Sequence, residues 1–258
     1  MLAIRMHSLP ALLISLTASG AWAAKDSCFA CHSVEEGTSI VFQNDIHYKN
    51  GMSCADCHGG DAQEDDGVLS MSAERGFKVR VKHEEVAAYC GRCHSDAAFM
   101  GKHKAGARTD QVALYSKSVH GVELAKGNRK AANCIDCHGV HNIRAVDDPQ
   151  SVLAPARLAA KCGFCHEEEA ALFQQSPHAK VFTASGMAAC TACHSSHATE
   201  RPSASMLIGA KPVCAGCHAA DSAGGKAAAG MAKRIAGLPP ADQGASARQA
   251  AHALKLAP

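Results

Sequence analysis

Every one of the 14 cysteines in this 258-residue chain belongs to a Cys-x-x-Cys-His unit. The seven units start at Cys28, Cys54, Cys90, Cys134, Cys162, Cys190 and Cys214, so no thiol is left for a disulfide. An even cysteine count in an exported chain usually signals a disulfide framework, but here the spacing overrides that reading. Two thiols separated by two residues reach the two vinyl groups of one porphyrin. The next residue then lies under the iron, with its imidazole as proximal ligand, and this is why the spacing reads as c-type haem attachment. A structural zinc site needs four ligands and has no use for a histidine behind every pair. A thioredoxin-like redox pair belongs beside a βαβ pattern, which this sequence lacks.

The units fall into a repeat. One copy, residues 118–166, runs Ser118-Val119-His120, then Cys134-Ile135-Asp136-Cys137-His138-Gly139-Val140-His141, then Cys162 to His166. The next, residues 176–218, runs Ser176-Pro177-His178, then Cys190-Thr191-Ala192-Cys193-His194-Ser195-Ser196-His197, then Cys214 to His218. A looser copy, residues 44–94, has His47, Cys54 to His58 and Cys90 to His94, with Gly60-Asp61 where the other copies place Val-His and Ser-His. A lead unit, Cys28 to His32, precedes all three.

Composition agrees with cofactors as the core. Aromatic content is 4%, while glycine numbers 22 and alanine is frequent, so the chain has few large side chains to bury. Seven flat porphyrins wrapped by small residues would supply the missing apolar interior, and the apoprotein is expected to fold poorly. The formal charge of +2 ignores two propionates per haem, which would make the holoprotein acidic. With no basic patch interleaved with aromatics, no nucleic-acid partner is expected.

Residues 1–23 read as a secretory leader, with Arg5 and His7 ahead of an apolar run and an Ala21-Trp22-Ala23 cleavage signal. That run is far short of the ~20 residues of a spanning helix, and no later stretch approaches one. Residues 24–218 form the expected heptahaem domain, and 219–258 an Ala/Gly-rich tail in which Pro239-Pro240 divides two weakly helical pieces. The tail is expected to pack loosely. The fold class expected is mainly α, with short helices and long loops wrapped around a compact chain of seven c-type haems and essentially no sheet. Helical character is read over 84–98, 109–126 and 155–173. The acidic run Asp61, Glu64, Asp65, Asp66 reads as a solvated loop.

Seven histidines are proximal candidates: His32, His58, His94, His138, His166, His194 and His218. Seven others lie among the motifs and are distal candidates: His47, His83, His103, His120, His141, His178 and His197, with His252 of the tail in reserve. This matching number points to bis-histidine irons. Such irons have no open position and therefore suit electron transfer over activation of a bound molecule.

These residues resemble the bacterial multihaem c-type cytochromes, including the cytochrome c3-like and c7-like proteins and the larger electron conduits of anaerobic respiration. The resemblance covers residues 28–218 through the seven Cys-x-x-Cys-His units, the Ser-x-His elements and Cys-x-x-Cys-His-x-x-His. It implies seven covalent haem c groups on the 14 cysteines, in a periplasmic or exported carrier, outer-membrane-associated or extracellular in some relatives. The donor implied is a quinol-oxidising membrane cytochrome, and the acceptor a terminal reductase or outer-membrane conduit. Haem-based nitrite reductases place lysine in one motif, which this chain does not, and hydroxylamine-oxidoreductase-like enzymes carry eight haems. The chain is therefore expected not to be an enzyme. Two alternatives stay open: an oxidoreductase with one open haem reducing a small nitrogen or sulfur oxyanion, and a conductive filament or homo-oligomer subunit.

Overall fold

A computed structural model describes residues 26–33, 38–203, 205–206 and 213–239. The leader and the second piece of the tail, with His252, lie outside the described residues. The fold is mainly α, and no strand occurs among the described residues.

Helices form where the haem units are, because each unit fits one helical turn. Residues i, i+3 and i+4 share a helix face, so a single turn presents both thiols and the imidazole on one side. The turns Ser27–His32, Cys54–His58 and Cys134–His138 are started by side chains. Asp26 accepts from the Phe29 N–H, while Ser53 and Asn133 form capping boxes with Asp56 and Asp136. Without such caps, helices of five residues would not hold their orphan N–H groups.

The longer helical stretches read from sequence are broken where a distal-candidate segment or a motif requires it. The first is divided into Val86–His94 and Ala97–His103. The second stops at Ser118, giving Gln111–Lys117 and Val119–Ala125. Ser118 Oγ donates to the Tyr115 carbonyl and accepts from the Gly121 N–H, so it closes one helix and starts the next. The third breaks at Phe164 to His166 into Pro155–Gly163 and Glu167–Gln175.

Protein-only packing is thin. Half of the 14 buried apolar residues described are alanine, each of which hides little surface. Among the described residues an apolar cluster joins Ala159, Phe182 and Ala189, backed by Phe173, Met187 and Cys190, and holds Pro155–Gly163 against Pro177–Ser185. Elsewhere hydrogen bonds fix the loops. Asp45, 1% exposed, accepts from the backbone of His47 and of Ile143, while the Ile46 N–H donates to the Ile143 carbonyl.

The first piece of the tail departs from the loose packing expected of it. Ala223–Ala236 is a 14-residue helix capped by Ser222, with Ala228, Met231, Ala232 and Ile235 buried. It lies against the last motif. A Cβ on Gly224 would collide with the His218 ring, so glycine is what lets this helix approach it so closely.

Candidate haem-ligand sites

Five of the motif histidines each face a distal candidate across a gap. The ring centres of His47 and His94 are 5.9 Å apart, those of His58 and His141 5.9 Å, and those of His120 and His166 6.1 Å. His138 and His197 are separated by 6.0 Å, and His178 and His218 by 6.0 Å. Aromatic pairs in general span roughly 4.5–7 Å, whereas these five all fall within 5.9–6.1 Å. Two imidazoles bound to one metal hold their ring centres about 6 Å apart, from two bonds of about 2 Å and about 1 Å from each nitrogen to its ring centre. The residues present therefore fit a haem iron between each pair.

The pairs follow a rule. His47, His120 and His178 each face the closing motif of their own copy. His141 and His197 each face the first motif of the copy before. The first three share a local design, since each is the second residue after a buried cap: Asp45, Ser118 and Ser176, with exposures of 1%, 2% and 7%. Ser176 Oγ donates to the Phe173 carbonyl as Ser118 Oγ does to that of Tyr115. Sequence reasoning found the two Ser-x-His elements but passed over Asp45-Ile46-His47 as their counterpart. The shared signal is an N-cap residue two positions before a histidine.

Ligand orientation is set from behind the rings. His47 Nδ1–H donates to Asp45 Oδ1 at 2.8 Å, and His58 Nδ1–H to the Lys78 carbonyl at 2.9 Å. In both, the bond behind the ring leaves Nε2 as the nitrogen available to a metal. Burial raises the Asp45 carboxyl, but the hydrogen bonds from His47 and Ile143 outweigh it, and its pKa lies below the ordinary value. Burial also lowers His94, His120, His141, His178 and His197, and takes His138 down to about 4, with His197 and His94 adding to the effect. Neutral imidazole is the form that binds a metal.

Thiols of successive motifs are neighbours along the whole chain. Burial and then the charges of Asp26 and Cys28 raise Cys54 to about 11. Burial raises Cys57, with Asp56 and Cys90 adding to it. Cys90 and Cys134 act on each other, which lowers Cys90 and raises Cys134. Burial raises Cys137 and then Cys162 does so. Cys162 and Cys190 act on each other in the same way, which raises Cys162 and lowers Cys190. Burial, Cys214 and Cys217 together raise Cys193. The motifs thus adjoin one another in sequence order from the first to the seventh.

Four candidates have other surroundings. His32 and His194 have interactions of their own and stand outside the five pairs. His83 Nε2 lies 2.9 Å from Asp136 Oδ2, and the exposed His103 ring sits 4.9 Å from that of Phe99.

A family model described as cytochrome c7 and related cytochrome c matches residues 40–139. A second, described as cytochrome c554 and c-prime, matches residues 13–59 and 161–237. No curated protein and no solved structure matches the chain.

Proposed function

From the premise that the chain is a multihaem c-type cytochrome with an electron-transfer role, which both family matches support, we propose that it carries seven covalent haem c groups in one row and serves as an exported electron relay. The observation that carries this reading is the set of five histidine pairs at 5.9–6.1 Å. Bound there, haem supplies one-electron chemistry at a six-coordinate iron. The chain's own residues do the rest. Cys28, Cys31, Cys54, Cys57, Cys90, Cys93, Cys134, Cys137, Cys162, Cys165, Cys190, Cys193, Cys214 and Cys217 tether. His32, His58, His94, His138, His166, His194 and His218 ligate from the proximal side. His47, His120, His141, His178 and His197 close the far side of five irons and deny it to substrates. The electrostatic influence of each motif's thiols on the next supports a row that runs in sequence order, with the lead unit at one end and the motif of His218 at the other.

The pairing rule extends one step further. The first motif of the third copy, that of His194, takes its partner from whatever follows that copy, and the sequence there offers His252. The leader-like residues 1–23 support export to the periplasm or beyond. There the partners are a quinol-oxidising donor and a terminal reductase or outer-membrane conduit as acceptor. No described helix is long and apolar enough to cross a membrane.

Intact-mass measurement of the holoprotein, with low-temperature EPR of the oxidised form in the presence and absence of cyanide and nitrite, tests the reading. The expected result is seven haems by mass, all low-spin and unmoved by added ligand. A high-spin haem that binds nitrite would overturn it in favour of the open-haem oxidoreductase, and self-assembly in solution would favour the filament.

A further inference from the structure

His83 was read as a distal ligand, yet it sits between two motifs whose proximal histidines are already faced. It opens the short 3-10 turn His83–Glu85, which packs on Val86–His94, and that helix packs on Cys134–His138. The motif histidines of those helices, His94 and His138, face His47 and His197. Around His83 the protein has built a clasp. Its carbonyl accepts from Asn133 Nδ2 at 3.0 Å, and its Nε2 meets Asp136 Oδ2 at 2.9 Å. The same Asp136 oxygen accepts the Asn133 N–H in the capping box that starts Cys134–His138. A carboxylate only accepts, so Nε2 carries a proton.

The opposite nitrogen, His83 Nδ1, is shut off from solvent and has no hydrogen-bond partner. A buried polar atom left unsatisfied is destabilising, and such atoms in native proteins nearly always have a partner. A haem tethered at an adjoining motif would carry carboxylate acceptors, its propionates. We propose that His83 is a positioning residue whose Nδ1–H donates to a propionate of one of the two haems tethered at Cys90–Cys93 and Cys134–Cys137. Donating at both nitrogens, the ring is then an imidazolium that bridges Asp136 and that propionate. This ties the helical turn of one motif to a cofactor carboxylate and partly neutralises its charge. It rests on the haem reading above.

Two variants separate the nitrogens of the ring. The amide of H83Q reaches the position of Nε2 and keeps the Asp136 contact, whereas that of H83N occupies the position of Nδ1. Attached haems are counted by mass, spin state is read by EPR, and potentials come from a spectroelectrochemical titration. The result expected for H83Q is all haems retained and low-spin, with one component about tenfold harder to reduce, a fall of ~59 mV for one electron. H83N is expected to stay close to the parent value. Unchanged potentials in H83Q, equal shifts in both variants, or haem loss from both would overturn the proposal, and loss from H83Q alone would support it. A new high-spin haem would make His83 an axial ligand and overturn it as well. A parent protein lacking haem by mass would instead sink the proposed function.

Discussion

The histidine pairs within a copy and those between copies differ in how their rings face. Within copies, the planes of His47/His94, His120/His166 and His178/His218 cross at 84°, 56° and 68°. Between copies, those of His58/His141 and His138/His197 lie at 24° and 8°. The difference follows from how each ligand is delivered. A within-copy ligand rides on a capped helix that meets the closing motif from outside. A between-copy ligand is the third residue after its own motif and reaches back along the preceding copy. His141 does so from a left-handed backbone, φ 63°, a conformation uncommon outside glycine. One class completes a copy and the other fastens it to its neighbour.

Removing a ligand should break this comparison most visibly. His141→Ala and His197→Ala are each expected to turn one haem high-spin and to make the joints between copies more sensitive to limited proteolysis. His120→Ala and His178→Ala should also cost one low-spin haem but leave those joints protected. Equal protease patterns for the two sets would remove the distinction. His252→Ala should add one high-spin haem if the pairing rule continues past the third copy, and unchanged EPR would end the rule there.

The unmutated protein offers a sharper view. Each imidazole donates π density into the iron orbital perpendicular to its plane, so parallel rings split two d orbitals and crossed rings leave them nearly equal. EPR should resolve both a rhombic low-spin class and a class with a very large maximum g value. A single rhombic class would contradict the ring angles.

Asp45 tests one pair alone. A carboxylate behind a ligand histidine makes it more basic and favours the oxidised metal. Asp45→Asn should raise the potential of the iron held by His47 and His94, by about tenfold in its reduction equilibrium or ~59 mV. Because the folded pKa of Asp45 is depressed, its stabilising effect is complete above the ordinary value of 3.8 and disappears as pH falls through the lower folded value. Acid unfolding curves of parent and variant should therefore converge at low pH. Parallel curves throughout would assign the stabilisation elsewhere.

The smallest effect lies in the turn after the motifs. Gly139 has φ 79° and ψ −170°, and the third copy places Ser195 in the same conformation, φ 64° and ψ 169°. A side chain there is strained, so Ser195→Gly should stabilise the protein by roughly 1 kcal/mol and Gly139→Ala destabilise it at least as much. Thermal unfolding checks both signs.

The cofactor motifs, the repeat and the mainly α class were legible because each rests on local spacing. Pairing was not, since His58 meets His141 only after the Asp45 carboxylate has caught the backbone of Ile143, and no periodicity encodes that contact. Counting histidines also could not reveal the orphaned Nδ1 of His83, which is a property of its surroundings. The helix Ala223–Ala236 was undervalued for a related reason. Its glycines read as weak helix formers, yet Gly224 is what brings the helix against His218.

The pairing rule has a consequence for how such a chain could lengthen. Each added copy brings two iron sites, one ligand for itself and one for its predecessor, and requires one from its successor. A duplicated copy spliced into the interior would therefore meet every ligand demand it creates, taking over the between-copy partnership at the splice and lengthening the row by two centres. The rule leaves two motifs to be served from outside it, the lead unit and the first motif of the last copy, so such an array needs a closing histidine for each.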